Sequence, residues 1–213
     1  MNVPKCWSGV LLAVALVLSC APKPESAERY TSAIALDNDP EMYQLEPLET
    51  LDLTVDDMEV KITKKAEYIL RAIPVSVKGY TGDSWRGKLS PCDVAAVWGK
   101  LAAGDAHKQL KWSQHGRWYY WRYGDDFGHD NAFVVRYSSN NHMVPANENL
   151  RRALRRVKRG LAFEASGFLV DITCQRGDNN YWWNSSMRLD DVGDGSCEVL
   201  YVTELKFGGC VYR

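Results

Sequence analysis

The stretch Leu89-Ser90-Pro91-Cys92-Asp93-Val94-Ala95-Ala96-Val97-Trp98-Gly99-Lys100-Leu101-Ala102-Ala103-Gly104 decides how the fold is read. Ser90 is a good N-cap, Pro91 fits the first helical position, and Asp93 stands three residues after the cap, where a carboxylate meets free backbone amides. Val94, Val97, Trp98 and Leu101 follow at the i, i+3, i+4, i+7 spacing of one buried helical face. Gly104 supplies a stop. The spacing predicts an amphipathic helix from Ser90 to Gly104.

Working outward, Glu67 to Val77 alternates with apolar residues on both faces, which predicts a well-covered strand despite Pro74. Regular structure is expected to begin near Met58, and Gly79 to Lys88, with Trp85, reads as a loop. After the helix, Leu110 to Trp112 and Arg117 to Tyr123 read as strands around a turn at Gln114-His115-Gly116, followed by a strand at Ala132 to Tyr137. Asn147 is an N-cap for a second helix, Glu148 to Arg159, with Leu150, Leu154 and Val157 as its apolar stripe and Gly160 just past its end. Leu161 to Ile172, Tyr181 to Met187 and Glu198 to Phe207 supply three more strands between turns rich in Gly, Asp and Asn. The expected class is α+β: a mainly antiparallel sheet, or a small partly open barrel, carrying two helices.

The N-terminus carries an address. Lys5 and the amino terminus precede an apolar run of twelve residues, Trp7 to Leu18, whereas a membrane-spanning helix needs roughly twenty. The run ends Val17-Leu18-Ser19-Cys20, which resembles the bacterial lipobox, although Leu18 is bulkier than usual there. Residues 1–19 are therefore expected to be a cleaved signal peptide. Cys20 is the expected lipid-attachment site, and acylation with more than one chain anchors firmly. Ala21 rather than Asp after that cysteine favours the periplasmic side of the outer membrane of a Gram-negative cell. Residues 20–57, with Pro22, Pro24 and Pro40, read as an acidic tether, and residues 58–213 as a single α+β domain.

The net charge of −1 hides a division. Ala21 to Thr63 holds eleven acidic and three basic residues, whereas the chain from Lys64 holds twenty-two basic and sixteen acidic. Whether the acidic stretch folds onto the basic body is left open by the sequence. Cys92, Cys174, Cys197 and Cys210 form an even set in a compartment that permits disulfides, with no Cys-x-x-Cys spacing and no preferred pairing.

An ordered series of short motifs runs through the body. Leu89-Ser90-Pro91 with Asp93 and Trp98-Gly99 comes first, then Arg117-Trp118-Tyr119-Tyr120-Trp121 and Asn141-His142-Met143-Val144-Pro145-Ala146-Asn147. Arg155-Arg156-Val157 to Arg159-Gly160 and Gly167-Phe168-Leu169-Val170 follow. Ser185-Ser186, Arg188, Asp190-Asp191, Gly193, Gly195 and Cys197-Glu198 close it. This series, from about Val75 to Leu205, resembles a family of uncharacterised exported or membrane-associated bacterial proteins. The resemblance implies one compact domain and brings no assigned activity or catalytic residue. Cys92, Cys174 and Cys210 depart from its pattern, so any disulfide would be a local feature.

Candidate chemistry is weighed residue by residue. Trp112 to Tyr123 packs three tryptophans and three tyrosines into twelve residues. On a strand, Trp118, Tyr120 and Arg122 face one way and Tyr119, Trp121 and Tyr123 the other. Either the aromatics fill a doubly covered sheet, or Arg117, Trp118, Trp121 and Arg122 form a shelf that stacks sugars, bases or a peptide. Trp182-Trp183 presents the same choice. Arg151, Arg152, Arg155, Arg156, Lys158 and Arg159 are the solvated face of a helix by default, and a surface for anionic envelope components otherwise. Asp125, Asp126, His129 and Asp130, near His115, collect in a turn for backbone reasons more readily than for a metal. The loop Asp190 to Gly195 fails calcium-loop spacing. His142, with Arg188, Asp190 and Asp191, would make a polar site. Arg176-Gly177-Asp178 reads as a turn.

No nucleophile elbow and no nucleotide-binding glycine fingerprint is present. The expectation is an envelope lipoprotein without cofactor or metal and without a nucleic-acid partner: a non-enzymatic binding module for a protein or an envelope polymer. The alternative is a hydrolase acting on an envelope polymer through His142 and nearby carboxylates.

Overall fold

A computed structural model describes residues 23–213, so the expected signal peptide, residues 1–19, and the expected lipid-attachment residue Cys20 lie outside the described residues. In chain order the elements are β1 (Glu28–Arg29), β2 (Glu41–Val55), β3 (Met58–Gly79), α1 (Trp85–Leu89), β4 (Cys92–Val97), α2 (Gly99–Ala103), β5 (Lys111–His115) and β6 (Trp118–Arg122). They continue with α3 (Asn131–Arg136), β7 (Ser138–Pro145), α4 (Glu148–Leu154), β8 (Phe163–Arg176), β9 (Asn179–Trp183), β10 (Glu198–Phe207) and β11 (Cys210–Tyr212). The architecture is α+β and mainly sheet, with 50% strand and 16% helix, and it is not a closed barrel.

The decisive stretch is a strand. β4 pairs antiparallel with β3 on one side and β7 on the other, and all six of its residues are buried. Cys92, Val94 and Ala96 face one apolar cluster while Ala95 and Val97 face another. The apolar residues satisfy period 2 as well as period 3.6, and a segment buried on both faces gives periodicity nothing to choose by. Ser90 is no N-cap: its amide donates to the Arg86 carbonyl at the C-terminal end of α1, and its hydroxyl donates to the Cys92 carbonyl. The helical part is short, Gly99–Ala103.

Eight strands follow the order β1-β11-β10-β7-β4-β3-β8-β9, with β2 beside β3, in one nine-stranded sheet. Only the β7–β10 pair is parallel, which makes the sheet mixed. The sheet curls far enough for β8 to pair with β10 as well, from Leu200↔Leu169 to Phe207↔Phe163. Gly167 lies in this seam, where an added Cβ would run into the Tyr201 carbonyl, so only glycine allows the strands to approach. β3, β4, β7, β8 and β10 all contribute to one cluster containing Tyr68, Val94, Trp98, Met143, Leu169 and Leu200, so the curl wraps around it. α4 closes that side with Leu150, Ala153 and Leu154, capped by Asn147, whose side chain accepts from the Leu150 amide.

Regular structure begins earlier than Met58. β2 pairs with β3 from Glu41↔Ile69 to Val55↔Met58, and the short β1 pairs with β11. Much of the stretch read as tether is therefore docked. The ladder with β3 and the packing of Leu51, Leu53 and Val55 hold it, and its acidic residues find partners: Asp39 pairs with Arg136, Glu41 with Arg71, Glu49 with Lys64, Asp56 with Lys88 and Asp57 with Arg176. Of Ala132–Tyr137, expected as a strand, all but the C-cap Tyr137 lie in α3, whose N-terminus is capped by the Asp130 carboxylate accepting from the Phe133 amide. Among the described residues there are four short α-helices rather than two. Cys92, Cys174, Cys197 and Cys210, the even set that left bridging open, are all free thiols here.

Candidate functional site

Alternation along β4 decides the site. Val94 and Cys92 enter the wrapped core, so Asp93 between them points to the opposite face, directly across from His142 of β7. Asp93 has no exposed surface. Its Oδ2 accepts from the Tyr80 hydroxyl at 2.8 Å and its Oδ1 from Arg117 Nη1 at 2.8 Å. His142 Nδ1 lies 2.9 Å from Oδ1, at ion-pair range yet out of line for a hydrogen bond. Burial, and next the Asp93 charge, push the Tyr80 phenol well above its ordinary value, keeping it a donor.

Arg117 arrives from the β5–β6 ribbon. His115 pairs with Trp118, leaving Gly116 and Arg117 as a two-residue turn with φ of 58° and 67°. Such a turn wants positive φ at both positions and favours Asn-Gly; an arginine there carries strain of order 1 kcal/mol. The turn falls one residue later than the sequence suggested, and this puts Arg117 at the tip rather than in a strand. Asn140 holds the tip against β7, donating to the Arg117 carbonyl at 2.9 Å and accepting from Gln114 Nε2 at 2.8 Å. The guanidinium also stacks on Tyr80, 3.9 Å from the ring centre.

Above this cluster opens a cleft of about 560 Å³ bordered by Arg86, Arg117, Trp118, His142, Trp183 and Cys197. Arg86 stands on α1, whose first turn is fixed by the Ser84 hydroxyl accepting from the Gly87 amide. Burial, then the Arg117 charge, lower the Arg86 guanidinium from its ordinary value. Arg86 Nε and Arg117 Nη2 are both buried without a hydrogen-bond partner. Asp93 neutralises one of these cations; Arg86 forms no ion pair among the described residues, and Asp194 also borders the cleft. Cys197 is pushed up to about 12, chiefly by burial and then by Glu198, so it is a neutral thiol at physiological pH.

The expected residues divide. Arg117, Trp118 and His142 meet at the cleft. Trp121 does not: it packs with Trp112 and Tyr119 over the cluster around Val97 and Leu101, its indole N–H donating to Asn131. Arg122 is exposed, across from Lys111. Arg188 and Asp190 pair with each other at the surface, while Asp191 accepts from Ser186. The carboxylate against His142 is Asp93, which the helical reading had assigned to a cap. His129 stacks on Phe133 with ring centres 3.8 Å apart, which gives that turn a packing role. Trp183, weighed with Trp182 as filler or shelf, walls the cleft. Tyr80 and Arg86 were missed; the signal was a lone aspartate inside an apolar run, for which burial demands partners.

On the other face of the same strands lies a second polar cluster. Glu198 of β10 pairs in register with Asn141, beside Ser139, and is fully enclosed. Burial raises its carboxyl to about 8; Ser139 and the Glu198 amide offset part of this, yet neither carboxyl oxygen has an aligned partner.

Fold and site together define a mixed-sheet α+β domain with a buried Asp–His–Arg cluster beneath a two-arginine cleft. Compared with known protein families, with curated proteins and with solved structures, the chain matches none.

Proposed function

We propose that this chain is an envelope lipoprotein whose domain is a non-enzymatic binding module, with the cleft taking an anionic group of an envelope polymer. The observation that carries the reading is the pair of guanidiniums, Arg86 and Arg117, each with a buried nitrogen left without a partner beside the same cavity. Burial chiefly, and the Arg117 charge next, disfavour the Arg86 cation, and an anion between the two guanidiniums offsets both and supplies the missing acceptors. Trp118 and Trp183 provide apolar walls.

Titration of glucuronate or inorganic phosphate into the purified protein should saturate. Arg86→Gln should weaken it about tenfold or more, the value of a hydrogen bond to a charged group. No saturable binding, or equal affinity in the variant, overturns the reading.

The hydrolase reading rests on one specific observation, the imidazole of His142 lying against Asp93 at the cleft. A carboxylate in contact with a histidine stabilises the imidazolium that general-base work on a water forms; the neutral Cys197 thiol is not poised as a nucleophile. Cleavage of peptidoglycan by the protein, lost in His142→Gln while glucuronate still binds, would establish this reading in place of the first.

Anchorage at Cys20, on the periplasmic side of the outer membrane, belongs to the same proposal. Cys20→Ala should move the protein from the membrane fraction to the soluble fraction with unchanged circular dichroism. Membrane retention of an unacylated variant would refute it.

A further inference from the structure

We infer that the turn Arg155–Arg159 is a second, electrostatic contact with the membrane, seated on the anionic phospholipid headgroups around the acylated Cys20. This rests on the lipid-anchor reading and extends it. The sequence places six cations from Arg151 to Arg159 on one helix, but α4 ends at Leu154 and divides them. Arg151 and Arg152 are half-buried and pair with Glu148. Arg155, Arg156, Lys158 and Arg159 stand beyond the helix, exposed, and form no ion pair among the described residues. Their turn is held from within: Val157 is buried in the wrapped core, and the Gly160 amide donates to the Pro74 carbonyl at 2.8 Å.

The chain enters the domain beside these cations. The Glu25 amide donates to Asn149 Oδ1 at 2.7 Å, and Asn149 Nδ2 donates to the Glu25 carbonyl at 2.9 Å. Asn149 lies on α4, about 9 Å before Arg155 at the rise of a helix. Cys20 precedes Glu25 by five residues, and a fully extended chain spans at most about 18 Å over that length. The stretch read as a tether therefore cannot lift the domain clear of the membrane. Arg29 on β1 joins the patch. Burial, then Cys210, raises the Tyr212 phenol, and Arg156 and Arg29 both offset this, so the two cations lie near one ring. Of the carboxylates at this end, Glu28 and Glu204 pair with Arg213 and Glu148 with the two helix arginines, leaving Glu25 against the unpaired cations. The surface is net positive, the charge that an anionic headgroup layer attracts. α4 packs on the face of β4 that Cys92 and Val94 occupy, whereas the cleft opens on the face of Asp93 and His142, so the two surfaces lie on opposite sides of that strand.

Flotation of the mature Cys20→Ala chain with vesicles separates this contact from the lipid. At about 10 mM salt, where the Debye length is about 30 Å, it should bind vesicles of phosphatidylcholine with phosphatidylglycerol and ignore those of phosphatidylcholine alone. Arg155→Gln with Arg156→Gln should weaken that binding roughly tenfold or more, at about fivefold per cation, and leave glucuronate binding unchanged. Lys61→Gln with Arg176→Gln makes the same change in net charge about 40 Å away along β3 and should alter vesicle binding far less. At about 0.15 M salt the Debye length falls to about 8 Å and the unacylated chain should release, so the contact assists the anchor without replacing it. Equal binding to both vesicles, binding to neither, or equal losses in the two double variants overturns the inference alone. A loss of glucuronate affinity on substituting Arg155 and Arg156 would assign them to the polymer and overturn it as well. An unacylated Cys20 in the wild-type protein, read by mass spectrometry, overturns the anchor and the inference with it.

Discussion

Glu198→Gln should make the folded protein more stable in alkali and leave it nearly unchanged in acid. The folded carboxyl titrates at about 8 against an ordinary value of 4.5, so the native state holds its proton more tightly than the unfolded chain does. Its contribution is complete below pH 4.5 and is lost as pH rises through about 8. At 1.36 kcal/mol per pKa unit the ceiling is on the order of 5 kcal/mol, and relaxation of the site will lower it. Glutamine keeps the shape, never ionises, and offers a donor to the unpartnered Asn141 Oδ1. Denaturant unfolding of both proteins at several pH values separates this group from the rest, because other titrations cancel in the difference. The stability difference should grow from pH 5 to pH 9; parallel curves would show that Glu198 is not held as described.

Asp93→Ala should cost about 3–5 kcal/mol, the usual loss when one member of a buried ion pair is removed. The cost comes from what remains. Arg117, 15% exposed at its side chain, would lose its only carboxylate, and the Tyr80 hydroxyl its acceptor. Stacking on Tyr80 and Trp183 offsets some of this. A second substitution, Arg117→Met, should therefore recover stability in the Asp93→Ala background, since an unpaired charge is worse than none. Two additive losses in that double-mutant cycle would mean that the pair is not coupled.

Both residues show where sequence reading fell short. Local rules located what local chemistry fixes. The Asn147 cap and the start of α4 hold, as do the bounds of β10 and the split of Trp118 and Tyr120 from Tyr119 and Trp121 across β6. Where a segment is covered on both sides, periodicity loses its meaning. Val94, Val97, Trp98 and Leu101 fit a helix, and Cys92, Val94, Ala96 and Trp98 fit a strand; pairing with β3 and β7 decided between them. That one ambiguity hid the site, because a helix sends Asp93 to a cap and a strand sends it to His142. Likewise the acidic residues from Asp39 to Asp57 look like a tether until their cationic partners on Arg71, Lys64, Lys88, Arg136 and Arg176 are brought alongside by long-range pairing. His142, Arg117 and Trp118 were legible as candidates. Their meeting with Arg86 and Trp183 was not, since contacts between distant strands leave no mark on either one alone.

The central claim is that the two arginines receive an anion. A crystal structure of the protein with glucuronate tests it most directly. The carboxylate should sit within about 2.7–2.9 Å of Arg86 Nε and Arg117 Nη2, with the sugar ring against Trp183 or Trp118. Glucuronate bound elsewhere, or a cleft holding no ligand at saturating concentration, would contradict the account.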